Sequence, residues 1–206
     1  MSRVTNKPVT VIPHAVPRVF YEKGKQRKQN NKGLLKLLYV GEISEKKGIK
    51  QLLKLMDSLA EEPIQLTVVG AGPLANLLET NTNRNIQYLG PIYNRERVAS
   101  IMADHDVFVL LSQKTETWEE LFGIVIIEAL AAGCCVVCTD HVGPREILGQ
   151  SEKFGVFSEA DIENIARLLK SLKSAKNIDT IRNKQNVAFK YCIEEIKKNW
   201  KEIVEK

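Results

Sequence analysis

The apolar positions of this chain follow two alternating periods, one typical of strands and the other of helices. Leu34 to Val40 is a nearly continuous apolar run closed by Gly41, which predicts a buried strand. From Gly48 onward, apolar residues recur at helical spacing until Glu61-Glu62-Pro63 ends the pattern, which predicts an amphipathic helix. The first part of the pattern is therefore a strand followed by a helix.

The same alternation continues along the chain. In order, it predicts a strand at 64–69, a short helix near 74–79, a strand at 86–89, a helix near 95–103, a strand at 107–111, a helix at 124–132 and a strand at 135–139. Strands that alternate with helices form parallel sheets. We therefore predict an α/β fold with a doubly wound parallel sheet and helices on both faces.

The last part of the chain changes character. Ile147, Phe154 and Val156-Phe157 suggest one more short strand pairing, and residues 162–172 have the spacing of an amphipathic helix. Phe189, Ile193, Ile196, Trp200 and Ile203 then step by 4, 3, 4 and 3, which predicts a long terminal helix with one narrow apolar seam. We expect this seam to dock on the flank of its own domain, or on a second domain or partner.

Composition excludes several classes of protein. The 206 residues are 44% hydrophobic and 27% charged, which suits one globular domain and disfavours extensive disorder or two full catalytic domains. The sequence has no apolar run long enough to cross a membrane and no apolar signal segment near its start, so we expect a cytoplasmic protein. Cys135 and Cys138 lie in a strand at an odd spacing and point to opposite faces, so we interpret the cysteines as reduced core thiols.

The charge is mildly basic, at +5 for 30 Lys and Arg against 25 Asp and Glu. Much of the excess lies between Arg18 and Lys36, where Gln26, Gln29, Asn30 and Asn31 indicate a polar loop. Two interpretations stay open for this segment, a solvated linker or a surface that rests on anionic lipid headgroups. The excess suits anionic partners without requiring nucleic acid, and we expect no nucleic acid partner.

In open α/β sheets, ligands bind beyond the carboxyl ends of the strands, so the loops there are the places to search. After the second strand, Gly70-Ala71-Gly72-Pro73-Leu74-Ala75 fits the dinucleotide pattern Gly-x-Gly-x-x-Ala. A nicotinamide site also needs an acidic residue after the next strand, where Tyr88 to Pro91 offers none. We therefore interpret these glycines as structural, in a tight strand-to-helix turn.

The helix at 124–132 carries one unusual residue. Between Leu121 and Ala132, Glu128 is the single charged side chain, and a helix apolar on all sides is buried. Ile124 lies four positions before Glu128 on the same face, and helical side chains lean toward the N-terminus, where free N–H groups near Gly123 favour phosphate. Spacing alone leaves two alternatives, a ligand that carries a phosphate and hydroxyl groups, or a buried Lys or Arg as partner.

Several stretches together resemble a known family. Glu120 and Glu128 stand as Glu-x7-Glu around Phe122-Gly123, which strongly resembles the family-4 (group 1) retaining glycosyltransferases of GT-B fold. Further similar stretches are Ile12 to Val16, the loop from Gly41 to Gly48, Val69 to Pro73, Leu89-Gly90, Val107 to Ser112, and Gly143 with Glu146. The match runs in order from about residue 11 to 148, so the set is far more specific than any one piece.

The resemblance implies roles for individual residues. Glu120 and Lys47 are the expected catalytic residues: Glu120 would lie against the hydroxyls of the transferred sugar, and Lys47 would neutralise the diphosphate as it leaves. Glu128 would bind the ribose hydroxyls of the nucleotide. The backbone of Phe122, Gly123 and Ile124 would lie near the diphosphate, Gly90, Pro91 and Ile92 would border the base, and Gly143 would line the pocket. No metal and no cofactor is implied beyond the donor, a nucleotide diphosphate sugar, most typically linked to UDP or GDP.

By this resemblance the chain is the C-terminal, donor-binding half of a hexosyltransferase that acts on a polysaccharide or glycolipid, as in lipopolysaccharide or capsule biosynthesis, with possible peripheral association at the inner membrane face. We divide it into an entry segment with a basic polar loop at 1–33, a Rossmann-like nucleotide-sugar-binding domain at 34–175 and a C-terminal helical segment at 176–206. The acceptor-binding N-terminal domain would precede residue 11, so we expect a fragment or one chain of a split enzyme, inactive by itself.

The sequence also departs from the family pattern. Glu42 stands where the family usually has Arg, which reverses a charge beside the expected diphosphate. Lys46, Lys50 and Arg145 are the candidates to replace that Arg. The departure favours a rival hypothesis, a non-catalytic module that binds a nucleotide sugar or a protein.

Overall fold

The computed structural model describes residues 11–27, 33–149, 155–172, 175–184 and 187–204. Phe154 and the part of the basic segment that contains Gln29, Asn30 and Asn31 lie outside the described residues.

A single parallel sheet forms the centre of the described chain. Its strands are β1 (Leu35–Val40), β2 (Ile64–Val69), β3 (Ile86–Tyr88), β4 (Val107–Leu110), β5 (Cys135–Thr139) and β6 (Val156–Phe157). They lie in the order β3-β2-β1-β4-β5-β6, which is the doubly wound arrangement that the sequence predicts. Val40 pairs with Val69 and Leu110 with Cys138, so the carboxyl ends of the central strands meet at one edge.

Helices cover both faces of the sheet. They are α1 (Arg18–Lys25), α2 (Ile49–Ser58), α3 (Asn76–Glu79), α4 (Arg95–Ala103), α5 (Ile124–Ala131), α6 (Val142–Leu148), α7 (Ile162–Ser171), α8 (Ala175–Lys184) and α9 (Ile193–Val204), with a 3₁₀ turn at Ala188–Tyr191. Helices α1, α4 and α5 pack together, whereas α2 packs against α7. Right-handed crossovers put the helices that precede β2 on the face opposite those that precede β4 and β5.

The prediction of a polar loop is wrong for residues 18–25, which form helix α1. Phe20 on this helix is fully buried, and the Tyr21 hydroxyl donates to the Ala188 carbonyl at 2.7 Å. Helix α1 packs against α4 and α5, and Lys23 Nζ lies 3.2 Å from Glu96 Oε1 on α4, while Arg18 and Lys25 are exposed. This helix has eight residues and one fully buried side chain. A segment this short among basic residues shows no clear apolar periodicity in the sequence.

The predicted terminal helix is shorter than expected. Phe189 lies in the 3₁₀ turn, and α9 begins only at Ile193, because Cys192 is extended and bridges to Val16. Of the predicted seam, Ile196 is buried, whereas Phe189 is 68% and Trp200 is 55% exposed. The seam therefore docks on its own domain at one position rather than along its length.

The cysteine prediction is confirmed. Cys134, Cys135, Cys138 and Cys192 are free and buried. Burial raises the pKa of the Cys134 thiol to about 12 and that of Cys135 to about 11, so both thiols stay protonated. Within the described residues, no group of His, Cys, Asp or Glu has the arrangement of a metal site, and no helix is long and apolar enough to cross a membrane.

Candidate functional site

The loops after the strands are joined to one another at the carboxyl edge of the sheet. Ile43 N–H donates to the Ala71 carbonyl at 2.9 Å, which joins the loops after β1 and β2. Gln113 N–H donates to the Lys46 carbonyl at 2.7 Å, which joins the loop after β4 to the loop after β1. The loops therefore form one surface on which side chains distant in sequence come together.

The glycines of the Gly-x-Gly turn are structural, as the sequence analysis inferred. A Cβ atom at Gly70 would lie 1.8 Å from the Gly41 carbonyl oxygen, and one at Gly72 would lie 2.4 Å from the Ile43 carbonyl oxygen. Any larger residue would push these two loops apart. The turn closes the edge of the site through backbone contact.

Lys47 and Glu120, the two predicted catalytic residues, are brought together as an ion pair. The Lys47 Nζ atom donates to Glu120 Oε2, and the two side chains are 21% and 11% exposed. The same Nζ lies 4.9 Å from the centroid of the Trp118 ring, close enough for a cation–π contact. The arrangement keeps a carboxylate and an ammonium group at one point of the edge, both partly open to solvent.

Glu128 lies on α5 with its side chain only 3% exposed. Its Oε1 atom accepts a hydrogen bond from Arg95 Nη2 at 2.5 Å. Burial raises the pKa of the Glu128 carboxyl, and the charge and hydrogen bond of Arg95 lower it in part. Of the two alternatives that spacing left open, an arginine partner is present, but this arginine is 54% exposed rather than buried.

Sequence reasoning missed Arg95. This residue opens helix α4, whose first turn is fixed by the Asn94 side chain accepting from the Arg97 N–H at 2.9 Å. The Arg95 guanidinium carbon lies 5.1 Å from the centroid of the Phe20 ring on α1. The helix start was predicted, but no local pattern shows that its first side chain meets a carboxylate 33 positions further on.

The remaining predicted site residues lie on loops and in the first turns of helices at the same edge of the sheet. Gly123 has φ +73° and caps α5, so the free N–H groups of the first turn, including that of Ile124, follow directly after Phe122. Gly143 N–H donates to the Glu120 carbonyl at 2.9 Å, and a Cβ atom at Gly143 would lie 2.5 Å from the Phe122 carbonyl. The Phe122 backbone is therefore held against α6.

The segment predicted to border the base follows β3. The Gly90 carbonyl accepts from the Gly70 N–H at 3.0 Å, Pro91 is exposed and Ile92 is half-buried against the core. This segment runs directly into the first turn of α4, so Arg95 and the proposed base-binding residues belong to the same connection.

The cations considered as replacements for the family Arg are all engaged with carboxylates. Lys46 Nζ lies 3.1 Å from Glu42 itself, and Lys50 Nζ lies 2.9 Å from Glu45. Arg145 forms two hydrogen bonds of 2.9 Å to Asp140. The charge of Glu42 is thus met by its neighbour on the same loop.

Two cavities differ in what surrounds them. The cavity of about 610 Å³ lies at the amino edge, where it is lined by the end of α2 and the turn before β3. A cavity of about 540 Å³ adjoins the site and is lined by the entry segment together with Phe122, Gly143, Glu146, Ile147 and Tyr191. We place the candidate site at the carboxyl edge, because the Lys47–Glu120 and Arg95–Glu128 ion pairs and the α5 N-terminus lie there.

Comparison with known sequences gives a consistent picture. The model of the family "Glycosyl transferases group 1" matches residues 21–188. The chain is 32% identical over 152 residues to the Campylobacter jejuni N-acetylgalactosamine-N,N'-diacetylbacillosaminyl-diphospho-undecaprenol 4-alpha-N-acetylgalactosaminyltransferase, covering 71% of this chain and 38% of that protein. It is 32% identical over 122 residues to the Mycobacterium tuberculosis phosphatidyl-myo-inositol mannosyltransferase, covering 56% of this chain and 31% of that protein. The chain therefore spans about two fifths or less of these relatives.

Solved structures share the fold. The C-terminal domain of the group 1 glycosyl transferase LpcC from Francisella tularensis superposes with a TM-score of 0.64 at 20% identity, covering 89% of this chain and 97% of that one. Staphylococcus aureus TarM, solved with fondaparinux, alpha-GlcNAc-glycerol and UDP, gives a TM-score of 0.70 at 18% identity, covering 87% of this chain and 37% of TarM.

Proposed function

The chain belongs to the group 1 glycosyl transferases, and from this premise we propose that it is the nucleotide-sugar donor-binding domain of a retaining, hexosyl-type glycosyltransferase. The observation that carries the proposal is the environment of Glu128, a carboxylate only 3% exposed on an otherwise apolar helix. A buried carboxylate is costly, and well-packed apolar residues are often at least as stable as a buried ion pair. Binding of a ligand through this carboxylate would explain why a charged side chain occupies this buried position.

The site suits each part of a nucleotide diphosphate sugar. Ribose hydroxyls would donate to Glu128, the diphosphate would lie near the first turn of α5 and Lys47, and the transferred sugar would lie against Glu120. As the glycosidic bond breaks, negative charge grows on the leaving diphosphate, so a cation and a helix N-terminus act where the charge develops. Lys47 would then divide its hydrogen bonds between Glu120 and the diphosphate. UDP is the first ligand to test, because TarM and the pneumococcal GtfA were both solved with it.

The acceptor is proposed to be a lipid-linked or polymeric glycan. The names of two relatives include diphospho-undecaprenol and phosphatidyl-myo-inositol, which supports a lipid-linked acceptor and peripheral contact with a membrane. The matched region is 38% or less of these relatives, so we propose that another domain or chain supplies the acceptor site. The chain alone would then bind donor and transfer no sugar.

A non-catalytic binding module is the second candidate function. The observation that favours it is Glu42, which lies 3.1 Å from Lys46 and adds negative charge to the loop next to Lys47. A module of this kind would bind a nucleotide sugar and still transfer nothing when supplied with the acceptor-binding half. Transfer of labelled sugar by the reconstituted protein separates the two functions.

The proposal is tested by calorimetric titration with UDP, GDP and ADP. UDP or GDP should bind, and Glu128→Ala should lose about 1.5–3 kcal/mol of binding free energy, the contribution of a hydrogen bond to a charged group. The free energy of unfolding should not fall, because a costly buried charge is removed. Glu163→Ala, at an exposed position on α7, is the matched control and should leave affinity unchanged. Absence of nucleotide binding, or unfolding by Glu128→Ala with undiminished residual affinity, would contradict the proposal.

A further inference from the structure

Glu128 belongs to a row of three side chains from three helices, in which Arg95 lies between Glu128 and Phe20. Arg95 on α4 donates to Glu128 Oε1 on α5 at 2.5 Å, and its guanidinium lies 5.1 Å from the centroid of the Phe20 ring on α1. Phe20 is fully buried, so its ring is a fixed surface. The cation is therefore held from one side by an aromatic ring and from the other by the carboxylate.

The exposure of this ion pair is strongly asymmetric. Arg95 is 54% exposed, whereas the Glu128 side chain is 3% exposed. Elsewhere in the same molecule, Arg27 and Asp106 form an ion pair in which both side chains are buried, at 10% and 3% exposed. A purely structural pair has no need for an open cation, and Arg95 begins α4 directly after the connection that follows β3.

The hydrogen bond engages one carboxylate oxygen and not the other. Arg95 bonds to Oε1 through Nη2, rather than to both oxygens through its two-pronged face. We propose that Arg95 is a positioning residue for nucleotide binding, which holds Glu128 as an ionised carboxylate through Oε1 and so presents Oε2 to a ribose hydroxyl. This inference rests on the proposed function and adds a residue that the Glu-x7-Glu pattern does not contain.

The electrostatics of the pair support this role. Burial alone would favour the protonated carboxyl, and Arg95 is the charged side chain in the described chain that lowers the pKa of Glu128 against this effect. The other charged side chains of α1, of α4 and of the 3₁₀ turn, the elements packed on α5, are Arg18, Glu22, Lys23, Lys25, Glu96, Arg97 and Lys190. Without Arg95, Glu128 would ionise only at higher pH and would be free to change its rotamer.

The test compares Arg95→Ala and Arg95→Lys with Arg97→Ala. Arg97 lies two positions away, is exposed and carries the same charge, so its removal controls for net charge and for the stability of α4. Affinities for UDP and for 2′-deoxy-UDP are measured from mildly acidic to neutral pH. The 2′-deoxy ligand lacks a hydroxyl that could donate to Glu128, so the ratio of the two affinities reports on this contact.

Arg95→Ala should weaken UDP about tenfold at neutral pH, as expected for loss of a charge-assisted positioning contact. The weakening should grow as the pH falls, because the unpartnered Glu128 takes up a proton at higher pH than in the wild type. The preference for UDP over 2′-deoxy-UDP should shrink. Arg95→Lys should restore part of both effects, and Arg97→Ala should behave as wild type.

A double-mutant cycle separates positioning from general stability. In a Glu128→Gln background, Arg95→Ala should cause little further loss, because its effect is transmitted through the carboxylate. Carbon-13 NMR titration of Glu128 gives a readout that needs no ligand, and its pKa should rise in Arg95→Ala. If UDP binds the wild type but Arg95→Ala matches Arg97→Ala at every pH, the inference is wrong and the proposed function stands. If the wild type binds no nucleotide diphosphate, the proposed function fails and the nucleotide role of Arg95 fails with it, whatever the NMR titration gives.

Discussion

The two edges of the sheet each hold a buried carboxylate bonded to an arginine, and the two pairs differ in how completely the protein satisfies them. At the amino edge, Asp106 Oδ1 accepts from Arg27 Nη2 at 2.7 Å and its Oδ2 accepts from the Lys36 N–H at 3.0 Å. Arg27 also donates to the carbonyls of Ala103 and His105. At the carboxyl edge, Glu128 has one described partner, and that partner is half exposed.

Two histidines, the half-buried His105 and the fully buried His141, repeat this contrast. His105, next to Asp106, has both ring nitrogens engaged, at 2.7 Å from the Ile101 carbonyl and 2.8 Å from the Thr67 hydroxyl. His141, at the carboxyl edge, has Nε2 at 2.8 Å from the Ser112 carbonyl, while its Nδ1 and the Ser112 hydroxyl have no hydrogen-bond partner in the described chain. Asp106 and His105 at the amino edge are thus satisfied within the fold, whereas His141 Nδ1 and the Ser112 hydroxyl at the carboxyl edge are not, which is compatible with the proposed ligand site there.

The largest expected effect is on the free energy of unfolding, and it tests the role of the amino-edge pair. Asp106→Ala should lower the free energy of unfolding by about 3 kcal/mol, because it leaves the Arg27 charge buried without its partner. Urea denaturation measures this, with Asp104→Ala at the exposed end of α4 as the control. Nucleotide affinity of the folded protein should not change. A loss no greater than that of the control would mean that the amino-edge pair does not stabilise the fold.

The next effect concerns binding at the carboxyl edge. Lys47→Ala should weaken UDP by about 1.5–3 kcal/mol, because the proposed partner of its ammonium group is the diphosphate, and it should leave uridine binding unchanged. The free energy of unfolding should change much less than for Asp106→Ala. Lys54→Ala, which removes an exposed cation from α2, is the control. Equal losses for UDP and uridine would exclude Lys47 from the diphosphate role.

The sheet was predictable because most of its strands are short, largely apolar runs. β2, α4 and β5 begin and end where the hydrophobic pattern places them. Helix α1 was not predictable from the sequence, because Phe20 is its one fully buried residue and basic side chains surround it. The break at Cys192 also has no local signal, since the bridge that extends it comes from Val16, far away in sequence. Periodicity thus predicts elements that bury a full face and misses those fixed by a single distant contact.

The candidate site divides in the same way. Glu128 was singled out because one charge inside an apolar helix is visible in the sequence, and the resemblance added Glu120 and Lys47. Their partners were not visible. Lys47 meets Glu120 across 73 positions and Arg95 meets Glu128 across 33, and both contacts depend on which strands are neighbours in the sheet. The sequence pattern therefore indicates which charged side chain is costly to bury. Which oppositely charged side chain pairs with it depends on the fold.

The smallest expected effect is on the pH dependence of stability, and it concerns His105 at the amino edge. Burial lowers the pKa of His105 below its ordinary value near 6.5, so the neutral ring is favoured in the folded protein. Its contribution to stability is therefore fully present above the unfolded pKa and declines as the pH falls below about 6.5 toward the lower folded value. Urea denaturation over this range should show a steeper loss of stability for the wild type than for His105→Gln. Identical slopes for the wild type and His105→Gln would mean that His105 does not couple protonation to folding, and the amino edge would lose one of the two groups on which the contrast depends.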